Sequence, residues 1–282
     1  MTKHIFWIAS YPKSGNTYIR SFLSAYYYSK NGKFDFNLLR YIEQFPDKQF
    51  FDGFVDNKSD AAQKWLPMQR KLISSKKIKF LKTHSAYGSY DNYPFTTPEV
   101  TIGGVYIVRD PRNIFTSLMN HFSLNEARAL EMLLDENRGI KSDDNDYSTY
   151  SFLSTWSNHV KSWTKINSFK TILIKYEDLE HDNEEILANL IKFINELLKE
   201  NKGLDHEKLK RAIETTKFDN LRKKENEIGF SEAIYSKDQT KKVSFFNLGF
   251  QSNWRKNSNK KIIETIEMRF ENEMKMMGYL EN

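Results

Sequence analysis

Between the first apolar run and the first helical pattern, the chain reads Tyr11-Pro12-Lys13-Ser14-Gly15-Asn16-Thr17-Tyr18. These residue types suit the capture of a phosphate or sulfate group. Lys13 brings a mobile positive charge, while Ser14, Asn16 and Thr17 bring short hydrogen-bonding side chains. Gly15 lets the backbone come close to a ligand with no Cβ in the way. A loop that leaves a strand and opens a helix also turns its N–H groups and the positive end of the helix towards an anion. The loop differs from the G-x-x-x-x-G-K-[ST] phosphate loop, because Lys13 precedes the only glycine and no Ser or Thr follows a Gly-Lys pair to hold Mg²⁺. The plain alternative is a strand-to-helix turn with an exposed lysine.

With this loop the sequence resembles the sulfotransferase family, in particular the cytosolic type that uses 3′-phosphoadenosine 5′-phosphosulfate (PAPS). That family's Tyr-Pro-Lys-Ser-Gly-Thr-Thr-Trp loop grips the 5′-phosphosulfate. The chain matches its first five residues and Thr17, with Asn16 and Tyr18 where the family has Thr and Trp. Asn keeps a donor for a phosphate oxygen, and Tyr keeps a ring for adenine.

Further segments follow in the family's order. Lys82-Thr83-His84 is similar to its Lys-Thr-His segment. The resemblance makes His84 the base that deprotonates the acceptor, as a neutral imidazole can. Lys82 would steady the sulfuryl oxygens and Lys13 the leaving phosphate oxygen, with Ser14 holding Lys13 aside beforehand. Arg109-Asp110-Pro111-Arg112-Asn113, continuing to Ser117, is similar to the segment that holds the 3′-phosphate through Arg109 and Ser117. Its plain alternative is an arginine capped by Asp110. Tyr176-Glu177-Asp178-Leu179 and Thr216-Lys217-Phe218 would bring Tyr176 and Phe218 to the adenine, though core packing is the commoner use of such rings. Near Trp254 only Gly249 survives from the family's Arg-Lys-Gly closure over the 3′-phosphate, so either Lys241, Lys242 or Arg255 compensates or the 3′-phosphate is held less tightly. The resemblance implies PAPS as co-substrate, adenosine 3′,5′-bisphosphate (PAP) as product, and no metal. The acceptor would be a small-molecule, glycan or lipid hydroxyl, or an amine. The family's dimerisation segment does not carry over, because Asn259-Lys260 stands where it has Thr-Val; oligomeric state stays open.

Short apolar runs alternating with longer helical patterns predict a parallel sheet flanked by helices on both faces, a P-loop-like α/β fold. The strands are expected over Ile5–Ser10, Ile78–Thr83, Ile102–Val108 and Thr171–Lys175. Helices are expected over Thr17–Tyr28, Pro111–His121, Tyr150–Asn167, Asn183–Glu200 and Lys260–Met277. Each expected strand ends in polar residues at the sheet edge where such folds bind ligands. Glu136–Thr149 reads as a polar, mobile loop whose acidic part around Asp143 would reach over the acceptor mouth or simply be solvated, and Ser236–Gly249 as a long excursion. No Pro/Gly-rich linker divides the chain, so residues 1–282 read as one domain.

Composition sets the outer limits. With 39% hydrophobic and 15% aromatic residues the chain can build a core, and with no cysteine it has no disulfide, thiol nucleophile or thiolate zinc site. The five apolar residues of Ile5–Ala9 are too few for a signal segment, and no run suits a membrane span. A cytoplasmic protein is expected. The net charge of +6 fits an anionic ligand without demanding nucleic acid. Lys208–Lys261 holds 14 Lys and Arg against 6 Asp and Glu, which points to the C-terminal third as the part that serves the anionic donor. A P-loop kinase or NTPase and a nucleotide- or RNA-binding module are the rival classes. Aromatic residues between Phe34 and Phe54, with Tyr87 and Tyr90, would line an apolar acceptor pocket or pack in the core.

Overall fold

Strand β1 (Ile5–Ser10) is buried throughout and apolar up to Ser10, and its alternation sorts side chains into two cores. Ile5, Trp7 and Ala9 enter one, Phe6 and Ile8 the other. A strand buried on both faces needs cover on both, which parallel pairing through helical crossovers supplies. In the computed structural model, residues 4–73, 78–142, 145–181, 183–200, 203–233, 244–247, 249, 254–257 and 259–281 are described. There β1 is the centre of a five-stranded parallel sheet. With β2 (Glu43–Gln44), β3 (Lys79–Thr83), β6 (Thr101–Val108) and β9 (Lys170–Lys175), the order is β2-β3-β1-β6-β9. Two short antiparallel ladders lie outside it: β4 (Ser89–Tyr90) with β5 (Tyr93–Pro94), and β7 (Gly139–Ile140) with β8 (Ser151–Phe152).

One face is covered by α1 (Asn16–Tyr28), α6 (Asn183–Leu198), α7 (His206–Thr215) and α8 (Phe218–Ile228), whose apolar stripes join Phe6 and Ile8. The other is covered by α2 (Lys58–Leu72), α3 (Pro111–Phe122), α4 (Glu126–Leu134), α5 (Trp156–Thr164) and α10 (Lys260–Met276). A short turn, α9 (Trp254–Asn257), docks on α3, where Trp254 N–H donates to Asn113 Oδ1 at 3.1 Å. The α/β class and all four expected strands agree with this fold to within a residue at each end.

The differences have local causes. The helix expected over Tyr150–Asn167 contracts to α5, because Ser154 takes a positive φ of 58° and Thr155 caps the helix by accepting from Asn158 N–H. The residues before it pair as β8. In the described part of Glu136–Thr149, Gly139 and Ile140 form β7, and Asp146 is buried, accepting from the N–H groups of Val55 and Ser148. Most of the Ser236–Gly249 excursion, with Lys241 and Lys242, lies outside the described residues. β2, at two residues, is too short to leave a pattern, and α2, α4, α7 and α8 are further helices of the fold.

Candidate active site

β1 ends at Ser10, and the chain turns sharply before entering α1. Two left-handed residues make the turn, Lys13 at φ 66° and Gly15 at φ 94°. A Cβ on Gly15 would lie 2.3 Å from the Tyr176 ring, so glycine is required by both conformation and space. Gly15 is the N-cap of α1 and offers no side-chain cap, which leaves the first amides of the helix for a ligand. Nearby, buried polar atoms stand without a protein partner among the described residues: Ser14 Oγ, Asn16 Oδ1 and Arg109 Nε. In a folded interior such atoms are costly unless something else satisfies them.

The loop opens into a cavity of about 750 Å³. Lys13, Gly15, Asn16, Thr17, Tyr18, Lys82, His84, Arg109, Ser117, Tyr176, Phe218 and Gly249 all line it. Ser14 lies beneath, 1% exposed. Tertiary structure thus brings together segments from across the chain, most of them delivered by the carboxyl end of a strand or the start of a helix.

Individual side chains differ from expectation. The Asn16 carboxamide nitrogen donates to Ile8 O at 2.9 Å and Ser10 Oγ at 3.1 Å, so it ties α1 to β1 instead of reaching for a phosphate oxygen. Ser14 makes no bond to Lys13; the Lys13 ammonium rests 4.3 Å from the centre of the Phe245 ring. Burial, then Arg109 and Lys82, pushes the Lys13 pKa down to about 7. Arg109 is not the arginine that Asp110 holds. Arg112 fills that role, bound to Asp110 at 2.7 Å and to Glu267 at 2.6 Å. Arg109 instead donates to Lys13 O at 2.9 Å and Gly249 O at 3.4 Å, and lies 4.5 Å from the Tyr176 ring. Gly249, at φ 53°, has Phe218 where a Cβ would go, 2.8 Å away.

His84 is oriented by the backbone. Its Nδ1 lies 2.8 Å from Ser10 O, and a carbonyl only accepts, so Nδ1 carries the proton and Nε2 the lone pair. Burial, then Lys82, holds its pKa down to about 3, which keeps the imidazole neutral. Behind it stands the fully buried His159. Tyr106 O–H donates to His159 Nδ1 at 2.9 Å, and Nε2–H donates to His84 O at 3.0 Å.

Several pocket residues carried no motif. Glu232 bonds Lys82 Nζ at 3.0 Å and also pairs with Arg20. Burial pushes the Glu232 carboxyl up, but Lys82 and Arg20 outweigh it and hold its pKa near about 2. Arg20 is itself held by Ile42 O at 2.6 Å and Leu39 O at 3.0 Å. A charged residue amid the apolar positions of the first helix was a readable signal; Glu232 had none. His121 also lines the cavity, 5.6 Å from the Phe245 ring, with its pKa lowered to about 3 by burial, then Lys13 and Lys82.

The described part of the basic C-terminal stretch does not furnish the pocket's charge. Among the described residues, no Lys or Arg of Lys208–Lys261 lines the cavity; its cations are Lys13, Arg20, Arg40, Lys82, Arg109 and Lys141. Lys217 pairs with Glu214 and Lys224 with Asp35, while Arg255 lies over Trp254. Among the described residues no group of three or more His, Asp or Glu could hold a metal ion, and no helix is long and apolar enough to cross a membrane.

A family model described as the sulfotransferase domain matches residues 3–278. No curated protein matches the chain in sequence. Among solved structures, mouse sulfotransferase SULT7A1 complexed with PAP is similar at TM-score 0.53 and 15% identity, over 97% of this chain and 84% of that one. A retinol dehydratase in complex with androsterone and inactive cofactor PAP is similar at TM-score 0.59 and 17% identity, over 97% of this chain and 81% of that one. At these identities the likeness is one of fold.

Proposed function

The chain belongs to the sulfotransferase domain family, and from that premise we propose that it moves a sulfuryl group from PAPS to an acceptor hydroxyl or amine, releasing PAP. Both structural neighbours are described with PAP bound, which supports PAP as the product here. The open amides of α1, the unpartnered Ser14 Oγ and the unpartnered Arg109 Nε suit a polyanionic nucleotide. Tyr18, Tyr176 and Phe218 supply rings for the base, and Ser117 a hydroxyl for the 3′-phosphate.

The observation that carries the reading is the His84 Nδ1–Ser10 O bond, which leaves a neutral Nε2 lone pair in the same cavity as Lys13 and Lys82. His84 Nε2 takes the acceptor's proton as its oxygen or nitrogen bonds to sulfur. The bond from sulfur to the 5′-phosphate oxygen breaks, and Lys13 neutralises the charge left on that oxygen. Lys82 exchanges its pairing with Glu232 for the sulfuryl oxygens. Positioning and electrostatics supply most of the rate in transfers of this type.

His84→Ala tests the assignment. Turnover of ³⁵S-labelled PAPS should fall by about 10² to 10⁴-fold, while PAP affinity measured by calorimetry stays within about twofold of the parent. Parental turnover in the variant would remove His84 from the chemistry.

A further inference from the structure

The sheet order divides the cavity. Arg109 and Tyr176 follow β6 and β9 on one side of β1, whereas Lys82 and His84 stand at the end of β3 on the other. The next strand out is β2, where Gln44 is in register with Lys82. Asp47 and Gln49 follow it. The β7–β8 hairpin packs on the segment just beyond, with Tyr147 N–H donating to Val55 O at 2.9 Å and Val55 N–H donating to Asp146 Oδ1 at 3.3 Å. The wall of the cavity beyond the reacting groups therefore includes Gln44, Asp47 and Gln49 from one segment and Ile140, Lys141, Ser142 and Thr149 from the other.

All of those side chains but Ile140 carry a hydrogen-bonding group, and the Ser142 and Thr149 hydroxyls lie 2.6 Å apart, bonded to each other. Of the aromatic residues expected to line an acceptor pocket, Phe45 and Phe51 are buried in the core, and neither Tyr87 nor Tyr90 lines the cavity. A flat apolar acceptor pressed on this wall would strip the Gln44 and Gln49 amides and the Asp47 carboxylate of water and return nothing to them. A molecule with several hydroxyls returns a donor or acceptor to each. Charge on the wall is balanced, since Asp47 and Glu43 stand against Lys141 and Arg40, so it favours neither a strongly anionic nor a cationic acceptor. Gln49 and Ser142 are exposed at the rim, which leaves room for an acceptor to extend into solvent.

Resting on the sulfuryl-transfer reading above, we propose that the acceptor is an uncharged, polyhydroxylated molecule, a sugar or short glycan. Its reacting hydroxyl reaches His84 Nε2, while neighbouring hydroxyls bond the wall that begins at Gln44. Gln44 is then a specificity-determining residue.

The full chain is tested with ³⁵S-labelled PAPS against a panel of neutral mono- and oligosaccharides, glucuronic acid, 2-naphthol and androsterone, with PAP affinity measured by calorimetry in parallel. The expected result is label in neutral sugars, with kcat/KM at least about 100-fold above that for 2-naphthol and androsterone, within the range reached by sites that hydrogen-bond substrate hydroxyls. Gln44→Leu should raise the sugar KM at least about tenfold, change kcat less, and leave PAP affinity unaltered. A preference for 2-naphthol, androsterone or glucuronic acid overturns the acceptor class, as does PAP binding with no sugar labelled or a sugar KM unmoved by Gln44→Leu. Failure to bind PAP strikes the donor reading itself, and with it this one.

Discussion

Lys13 stands at the point where the fold and the ligand compete for one charge. Burial beside Arg109 and Lys82 lowers its pKa to about 7, so the free protein is losing this proton near neutrality. Phosphate groups have finished their second ionisation by then, with pKa about 6, so the ligand's charge is constant above it. PAP affinity should accordingly fall as pH rises from 7 to 9, and binding at pH 8 should take up close to one proton. Calorimetry in two buffers of different ionisation enthalpy reads that proton directly. Lys13→Arg, always charged, should abolish the dependence, and a flat affinity in the parent would place the titrating charge elsewhere. The residue types that do this chemistry were legible in the chain because their motifs are local. Their hydrogen bonds were not: Asn16 spends its amide on β1, Ser14 leaves Lys13 to Phe245, and Lys82 is paired with a glutamate 150 residues away.

At the scale of elements, the β1–loop–α1 unit was readable almost to the residue, since an apolar run, a glycine and a helical stripe follow one another without a gap. The same unit carries a sharp expectation. Gly15→Ala forces a left-handed alanine and drives its methyl group into the Tyr176 ring. It should cost about 1–3 kcal/mol of stability, seen as a lowered denaturation midpoint, and weaken PAP binding at least about tenfold. A variant with parental affinity would mean that the loop can be reshaped without loss. Elements that owe their form to neighbours were less readable. β2 exists only because β3 is there to pair with it, and Asp146 in the polar Glu136–Thr149 segment is held by Val55 and Lys48, far away in sequence.

Across the whole molecule, burial of ionisable groups ties stability to pH. His84 and His121 have pKa values lowered from 6.5 to about 3, and His159 to about 4. The unfolded chain binds protons at these positions below about pH 6.5, while the folded chain does not. Stability therefore rises with pH across this window and is lost on acidification. At about 1.4 kcal/mol per unit for each group, and less where solvent reaches His84, the loss from pH 6.5 to 5 should come to about 2–4 kcal/mol. Urea unfolding at a series of pH values measures it, and His159→Asn should flatten the slope. A stability independent of pH between 6.5 and 5 would show that these histidines titrate freely. The surplus of positive charge belongs to the same scale. The sequence concentrates it in the C-terminal third, but the cations that line the described cavity come from the first half of the chain.

Family, fold class and a candidate anion-binding loop were legible in the sequence alone, because each rests on residues that are neighbours along the chain or on periodicities that any folding must satisfy. The tertiary structure decided the rest: which charges meet, which imidazole nitrogen keeps its lone pair, and which side chains face the acceptor. Gln44 and Glu232 illustrate why. Nothing beside either in the chain marks it, and both acquire their roles only from Lys82, which β3 places in register with one and in salt-bridge reach of the other.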